Sequence, residues 1–204
     1  MRLSIFPLAG ALLFPRAQLP LHIFEPRYRA LISDAMARDR RIGMIQPRDD
    51  NEPPALFDVG CVGRIADVEA LPDGRYNIVL EGLSRFRLIR EIDVTTAFRQ
   101  IEADCTPFDG DKDDTAPLAL ALRSDVEREA RRFANARGYA IDWDAVARLD
   151  DESLVNAVAQ IAPFDVAAKQ AVLEAPDIAS RADLVAQFLR FFRLDDSDDD
   201  ATMQ

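Results

Sequence analysis

Asp109-Gly110-Asp111-Lys112-Asp113-Asp114-Thr115 contains a glycine, five charged side chains and no apolar residue. The hydrophobic pattern changes across it. Upstream, apolar residues recur with a period near two between turn residues; downstream they recur with a period near 3.6. The change predicts an α+β chain: a β-rich subdomain over 1–110, an α-helical subdomain over 115–194, and an acidic flexible tail over 195–204.

Upstream, Cys61 to Val68 alternates as a strand, and Leu71-Pro72-Asp73-Gly74-Arg75 is a turn signal, since Asp-Gly supplies the positive φ that hairpins need. Tyr76 to Leu80 reads as the returning strand, and Gly82 breaks the pattern. Phe86, Leu88 and Ile92, interleaved with Arg85, Arg87 and Arg90, read as a third strand whose arginines lie on its wet face. Phe98 to Cys105 and Gly43 to Gln46 complete the set. Short hairpin-connected strands imply an antiparallel, barrel-like sheet. One helix interrupts it: Pro26 suits a first helical position, and Tyr28, Leu31, Ile32, Ala35 and Met36 form one stripe. That stripe points Tyr28 inward, with its hydroxyl at the rim, and Arg27 and Arg29 away.

Downstream, Leu118, Leu122, Val126, Ala130 and Phe133 share a helix face that Gly138 closes. Leu154, Val155, Val158 and Ile161 mark another helix, stopped by Pro163. A short helix follows Asp165 as N-cap. The last runs through Leu184, Val185, Phe188, Leu189 and Phe192, with Ser180 and Asp183 at capping-box spacing. Phe188, Phe191, Phe192, Leu189 and Leu194 exceed one stripe, so the excess covers the β-subdomain or meets a second copy, and the oligomeric state stays open.

The 204 residues include 25 basic and 36 acidic side chains, a net charge of −11, which disfavours broad nucleic-acid binding. The β-rich part is nearly balanced, with 14 basic and 16 acidic side chains over 1–110, which leaves room for a local RNA surface. No apolar run of about 20 residues spans a bilayer, and Met1 to Pro7 makes a poor signal peptide, so a cytoplasmic protein is expected. Cys61 and Cys105 form no CxxC pair, and His22 is the only histidine, flanked by Leu21 and Ile23 and read as structural; no metal site is expected. There is no G-x-S-x-G elbow and no phosphate-cradling glycine loop, and neither Lys112 nor Lys169 sits in a context that implies desolvation. Gly60 and Gly63 read as sites of strand bending or close backbone approach. No catalytic residues and no cofactor are expected.

Three groups of motifs carry a resemblance. Phe6-Pro7-Leu8-Ala9-Gly10-Ala11-Leu12-Leu13-Phe14-Pro15 leads to Leu19-Pro20-Leu21-His22-Ile23-Phe24-Glu25-Pro26-Arg27-Tyr28. Asp58 to Ile65 and Gly74 to Arg87 follow, then Lys169 to Asp177 with Arg181-Ala182. Over about residues 3–193 the chain resembles the N-terminal substrate-binding domain of the ATP-dependent Lon proteases (peptidase family S16), in the form that also occurs as a stand-alone bacterial protein. The resemblance implies a PUA-like β-subdomain before the helical bundle, and a protein- or peptide-binding module without the ATPase and protease modules of full Lon. It implies as partners unfolded or exposed protein segments, in the setting of a protease or chaperone system. The alternative is a PUA-like small-molecule or RNA module. The resemblance places substrate contacts at Arg27, Tyr28 and Arg29, around an apolar groove between sheet and helices. The proline-rich motifs also fix extended backbone, and Phe14, Leu21 and Phe24 are expected in the core.

Overall fold

Alternating apolar residues build two long strands, and the rest of the β-rich part is arranged around them. The computed structural model describes residues 1–113 and 117–201, with backbone alone for Lys112 and 195–201. The first compact unit, Met1–Asp114, contains β1 (Arg2–Pro7), β2 (Gln18–Ile23), α1 (Pro26–Met36), β3 (Arg41–Ile45), β4 (Val59–Ala70), β5 (Tyr76–Ile92), β6 (Gln100–Asp104) and a 3-10 segment, Thr106–Lys112. The second, Thr115–Gln204, contains α2 (Leu120–Ala136), α3 (Trp143–Ala147), α4 (Asp151–Ile161), α5 (Val166–Glu174) and α6 (Ile178–Ala201).

The six strands are ordered β2-β5-β4-β3-β1-β6, and β6 pairs again with β5, closing five of them into a ring with β2 outside on β5. The sheet is antiparallel with one exception to expectation: β1 and β3 run parallel, Ile5 opposite Gly43. Parallel neighbours need a long crossover, and the chain from β2 through α1 provides it. Gly82 does not separate the returning strand from a third, as the break in the pattern suggested. It lies within the continuous β5, where a β-carbon would overlap the Phe14 carbonyl. Gly82 N donates to Ala17 O at 2.9 Å, and Arg16 N donates to Gly82 O at 2.8 Å. β5 therefore serves two neighbours in turn, β2 along Tyr76 to Glu81 and β6 along Arg87 to Ile92, bending at a bulge between Leu88 and Arg90. Gly60 is a further close approach, against the Met44 carbonyl.

The α1 stripe of Tyr28, Leu31, Ile32 and Ala35 packs on Ile23, Ile42, Ile65, Ile78 and Leu80, which forms the larger core. Leu3, Ile5, Ile45, Val62, Phe86 and Ile101 fill the other. Two expectations fail here. Arg85 is not on a wet face: it is 4% exposed, because the 3-10 segment delivers Asp111 to it, with Nη2 to Oδ1 at 2.8 Å and Nε to Oδ2 at 3.0 Å. Phe24 is not core but 61% exposed, while Phe14 is fully buried and Leu21 partly so.

In the helical unit Gly138 adopts φ 67° just past α2, and the Asp165 side chain caps α5 through Ala168 N at 2.7 Å. α6 begins earlier than the Ser180 spacing implied: Asp177 accepts from Ser180 N at 2.7 Å. Phe188 and Phe192 pack on Phe164 with centroids 5.7 and 5.5 Å away, while Phe191 and Leu194 stay exposed. Lys169 is buried, contrary to its amphipathic context; its Nζ donates to Gln160 O at 3.2 Å, and desolvation lowers its pKa. The side chains of the acidic run from Asp195, and residues 202–204, lie outside the described residues.

Candidate functional site

Pro26 starts α1 beside β2, so Arg27, Tyr28 and Arg29 occupy its first turn and diverge by helical geometry. Tyr28 points inward as its stripe position required: it is 7% exposed, its ring centroid lies 4.1 Å from that of Phe6, and its hydroxyl donates to Pro7 O at 3.4 Å. Burial pushes its phenol above the ordinary value, against the pull of the Arg27 guanidinium. Arg27 stacks over the Tyr28 ring at 4.7 Å and donates from Nε to Glu25 Oε2 at 2.9 Å. Arg29 turns away, its guanidinium against Gly74 in the β4–β5 turn. The structure brings Arg27 and Tyr28 together and separates Arg29 from them.

Arg27 and Tyr28 line a pocket of about 270 Å³, walled by Pro7, Pro47, Pro53, Phe98 and Arg99. Arg99 Nη1 donates to Pro54 O at 2.8 Å, and the same guanidinium pairs with Glu91. Glu52 reaches Arg27 Nη1 at 3.7 Å. Asp49 also lines the pocket, with Oδ1 accepting from Asn51 N and Ala55 N, so both charge signs meet there. Phe98 and Arg99 were not found from sequence; only the prolines at 47, 53 and 54 hinted at a shaped loop. Nearby, His22 is exposed, Nδ1 bonded to Asn77 Oδ1 at 2.7 Å and the ring stacked on Phe24 at 6.3 Å.

The helical unit holds a second concavity, of about 120 Å³ and apolar throughout. Phe133, Leu154 and Leu189 form a buried floor; Tyr139, Ile141 and Ile161 stand at the rim, 48%, 38% and 79% exposed. Trp143 completes one wall, with Arg131 stacked 4.4 Å from its centroid. Periodicity placed Ile161 in the α4 stripe but missed Tyr139, Ile141 and Trp143. They lie in and beside a short helix, where the only signal was an aperiodic apolar cluster after Gly138. The apolar groove the structure describes thus lies among helices. Such a surface can exclude water from a bulky side chain; it carries no group that polarises a bond. Among the described residues no group of three His, Cys, Asp or Glu is placed to hold a metal ion, and no helix is long and apolar enough to cross a membrane.

Comparison with known proteins gives the frame for these surfaces. A family model described as the ATP-dependent protease La (LON) substrate-binding domain matches residues 2–190. Lon protease 2 of Sorangium cellulosum (strain So ce56) is 31% identical over 199 residues, covering 89% of this chain and 23% of that protein. Lon protease 2 of Myxococcus xanthus is 28% identical over 192 residues, covering 92% and 23%. The chain thus spans under a quarter of the length of these relatives. The fold matches a Lon N-terminal domain protein from Xanthomonas campestris with TM-score 0.65 at 22% identity, covering 92% of this chain and 98% of that one. It also matches the N terminal domain of the Mycobacterium avium complex Lon protease, with TM-score 0.67 at 18% identity over 93% and 98%.

Proposed function

The chain belongs to the Lon substrate-binding domain family, and from that premise we propose that it is a non-catalytic module that holds unfolded or exposed segments of other proteins. The observation that carries the reading is the family match itself, which covers residues 2–190. Two surfaces support it. One is the pocket of Arg27, Tyr28 and Arg99, where the stacked Arg27 guanidinium, Arg99 and proline walls suit backbone carbonyls and side-chain carboxylates of a client. The other is the apolar groove of the helical unit. Arg27 and Tyr28 are assigned to client contact at the first pocket, and Arg29 to the neighbouring turn surface. The setting we assign is cytoplasmic, alongside a protease or chaperone system that acts on the held client. A small-molecule reading draws on the same 270 Å³ pocket, and competition by small carboxylates would favour it.

The test is fluorescence anisotropy of a labelled, carboxymethylated and permanently unfolded model protein, titrated with the full chain. Saturable micromolar binding to the unfolded form and none to its native counterpart is the expected result. Binding no tighter than that of an equally acidic control protein would end the proposal.

A further inference from the structure

Glu25 has a side chain that its place in the helix does not explain. It is the N-cap residue of α1, yet its carboxylate caps nothing. Only its backbone O serves the helix, accepting from Tyr28 N at 3.1 Å and Arg29 N at 2.9 Å. An N-cap side chain ordinarily accepts from a free first-turn amide. This one turns to Arg27 instead, whose Nε donates to Oε2 at 2.9 Å.

Two contacts thereby fix the Arg27 guanidinium. The Glu25 carboxylate holds it at Nε, and the buried Tyr28 ring supports one face, 4.7 Å from the centroid. What is left for a ligand is the planar edge of Nη1 and Nη2, and Arg27 lines the pocket. Among the described residues the ion-pair partner of that edge is Glu52, 3.7 Å from Nη1 with a side chain 86% exposed. That distance is beyond hydrogen-bond reach, and so exposed a pair holds weakly. Arg99, the other guanidinium of the pocket, is committed, with Nε and Nη2 on Glu91 and Nη1 on Pro54 O.

The pocket also separates the two kinds of acceptor that a client offers. Asp49, Asp50 and Glu52 line it, so an entering carboxylate meets three like charges, whereas a neutral carbonyl does not. Main-chain carbonyls inside a folded protein are almost all paired; an unfolded or exposed segment presents them unpaired.

We propose that Glu25 is a positioning residue: it holds the terminal nitrogens of Arg27 ready for a main-chain carbonyl of an extended segment, and Glu52 is the internal partner that this carbonyl displaces. The proposal rests on the substrate-binding reading of the Arg27 pocket and names the group recognised there.

Anisotropy of the labelled, unfolded model protein against variants of the full chain tests it. Arg27→Ala weakens binding about tenfold. Glu25→Ala weakens it about fivefold, while Glu25→Gln, which keeps an acceptor for Nε, recovers most of that loss. Glu52→Ala strengthens it about twofold. Opposite signs at the two glutamates distinguish positioning from bulk charge, since simple loss of a negative charge acts alike at both. In an Arg27→Ala background, Glu25→Ala has no further effect. Circular dichroism spectra match wild type throughout, because the Glu25 side chain bonds nothing in the helix. Of two labelled twelve-residue peptides, one uncharged and one carrying glutamates, the uncharged one binds at least as tightly at low salt.

Glu25→Ala binding as well as wild type, or a loss that persists undiminished without Arg27, overturns the proposal. So does unchanged or weaker binding by Glu52→Ala, or tighter binding of the glutamate peptide, which would make the acceptor a carboxylate. Should any of these occur while wild type still holds the unfolded protein, the positioning role fails and the module stands. If wild type holds no unfolded protein at all, the module reading fails with it.

Discussion

Arg85 stands between Ser84 and Phe86 in β5, at a position where strand alternation assigns it to water, and it is instead 4% exposed. Its guanidinium stacks over Phe108 at 4.8 Å and forks onto Asp111, which also accepts from the Arg85 backbone N at 2.8 Å. Removing one partner of such a pair strands a buried charge, whereas replacing both with apolar groups need not. Asp111→Ala is therefore expected to lower unfolding stability by about 3 kcal/mol, measured by urea titration, and Arg85→Met with Asp111→Leu to recover most of it. Equal losses in the single and double variants would show that the pair is not the fastening. Period-two patterning reports which side of a strand a residue takes, but not what folds over that side. Asp111 arrives from 26 positions away, in the same polar stretch that marked the change of period. Phe24 failed for the complementary reason: the His22 ring stacks on it, yet it stays 61% exposed. Tyr28 was legible because its stripe neighbours Leu31 and Ile32 belong to the same helix.

At the scale of elements, aspartates organise the ends of the helices. Asp150 caps α4 through Ser153 N at 2.8 Å, Asp177 does the same for α6, and Asp151 ties α4 to Arg123 of α2 with Oδ1 2.6 Å from Nη1. The backbone bond from Ser153 lowers the Asp150 pKa, the Arg123 side chain lowers that of Asp151, and the Ser180 amide lowers that of Asp177. A carboxyl whose pKa is depressed on folding contributes stability above its unfolded value, roughly 3.9, and loses that contribution as the pH falls through the folded value. Thermal melts followed at 222 nm should accordingly drop steeply below about pH 4. Asp151→Asn should melt lower at pH 7, by about 1–2 kcal/mol in stability, and converge on wild type only as the pH falls through the depressed folded Asp151 value; a constant offset at every pH would refute the linkage. Some of these elements were readable, Gly138 and Asp165 from their cap chemistry and α1 from its stripe. The start of α6 was not, because Ser180 and Asp183 mimic a box one turn inside the helix. β1 and β2 were legible only as proline-fixed extended chain. Which strands they pair with, and that β1 runs parallel to β3, depends on a ring closure that no local pattern encodes.

At the scale of the molecule, two of its concave surfaces carry the proposed grip: a mixed-charge pocket in the β-rich unit and an apolar groove in the helical one. The first grew from residues that the sequence singled out, Arg27 and Tyr28. The second was hidden, since Phe133 and Ile161 belong to stripes that predict burial rather than a cavity, and Trp143 joins them from a short helix with no stripe of its own. Holding a client by apolar contact removes hydrated surface, which leaves a negative heat-capacity change as its signature. Titration calorimetry of the full chain against a permanently unfolded model protein, repeated at several temperatures and followed by intact mass of the client, reads grip and chemistry together. Saturable heat with a negative heat-capacity change and a client of unaltered mass is the expected result. Heats that never saturate, or a client returned in fragments, would contradict a module that holds without cutting.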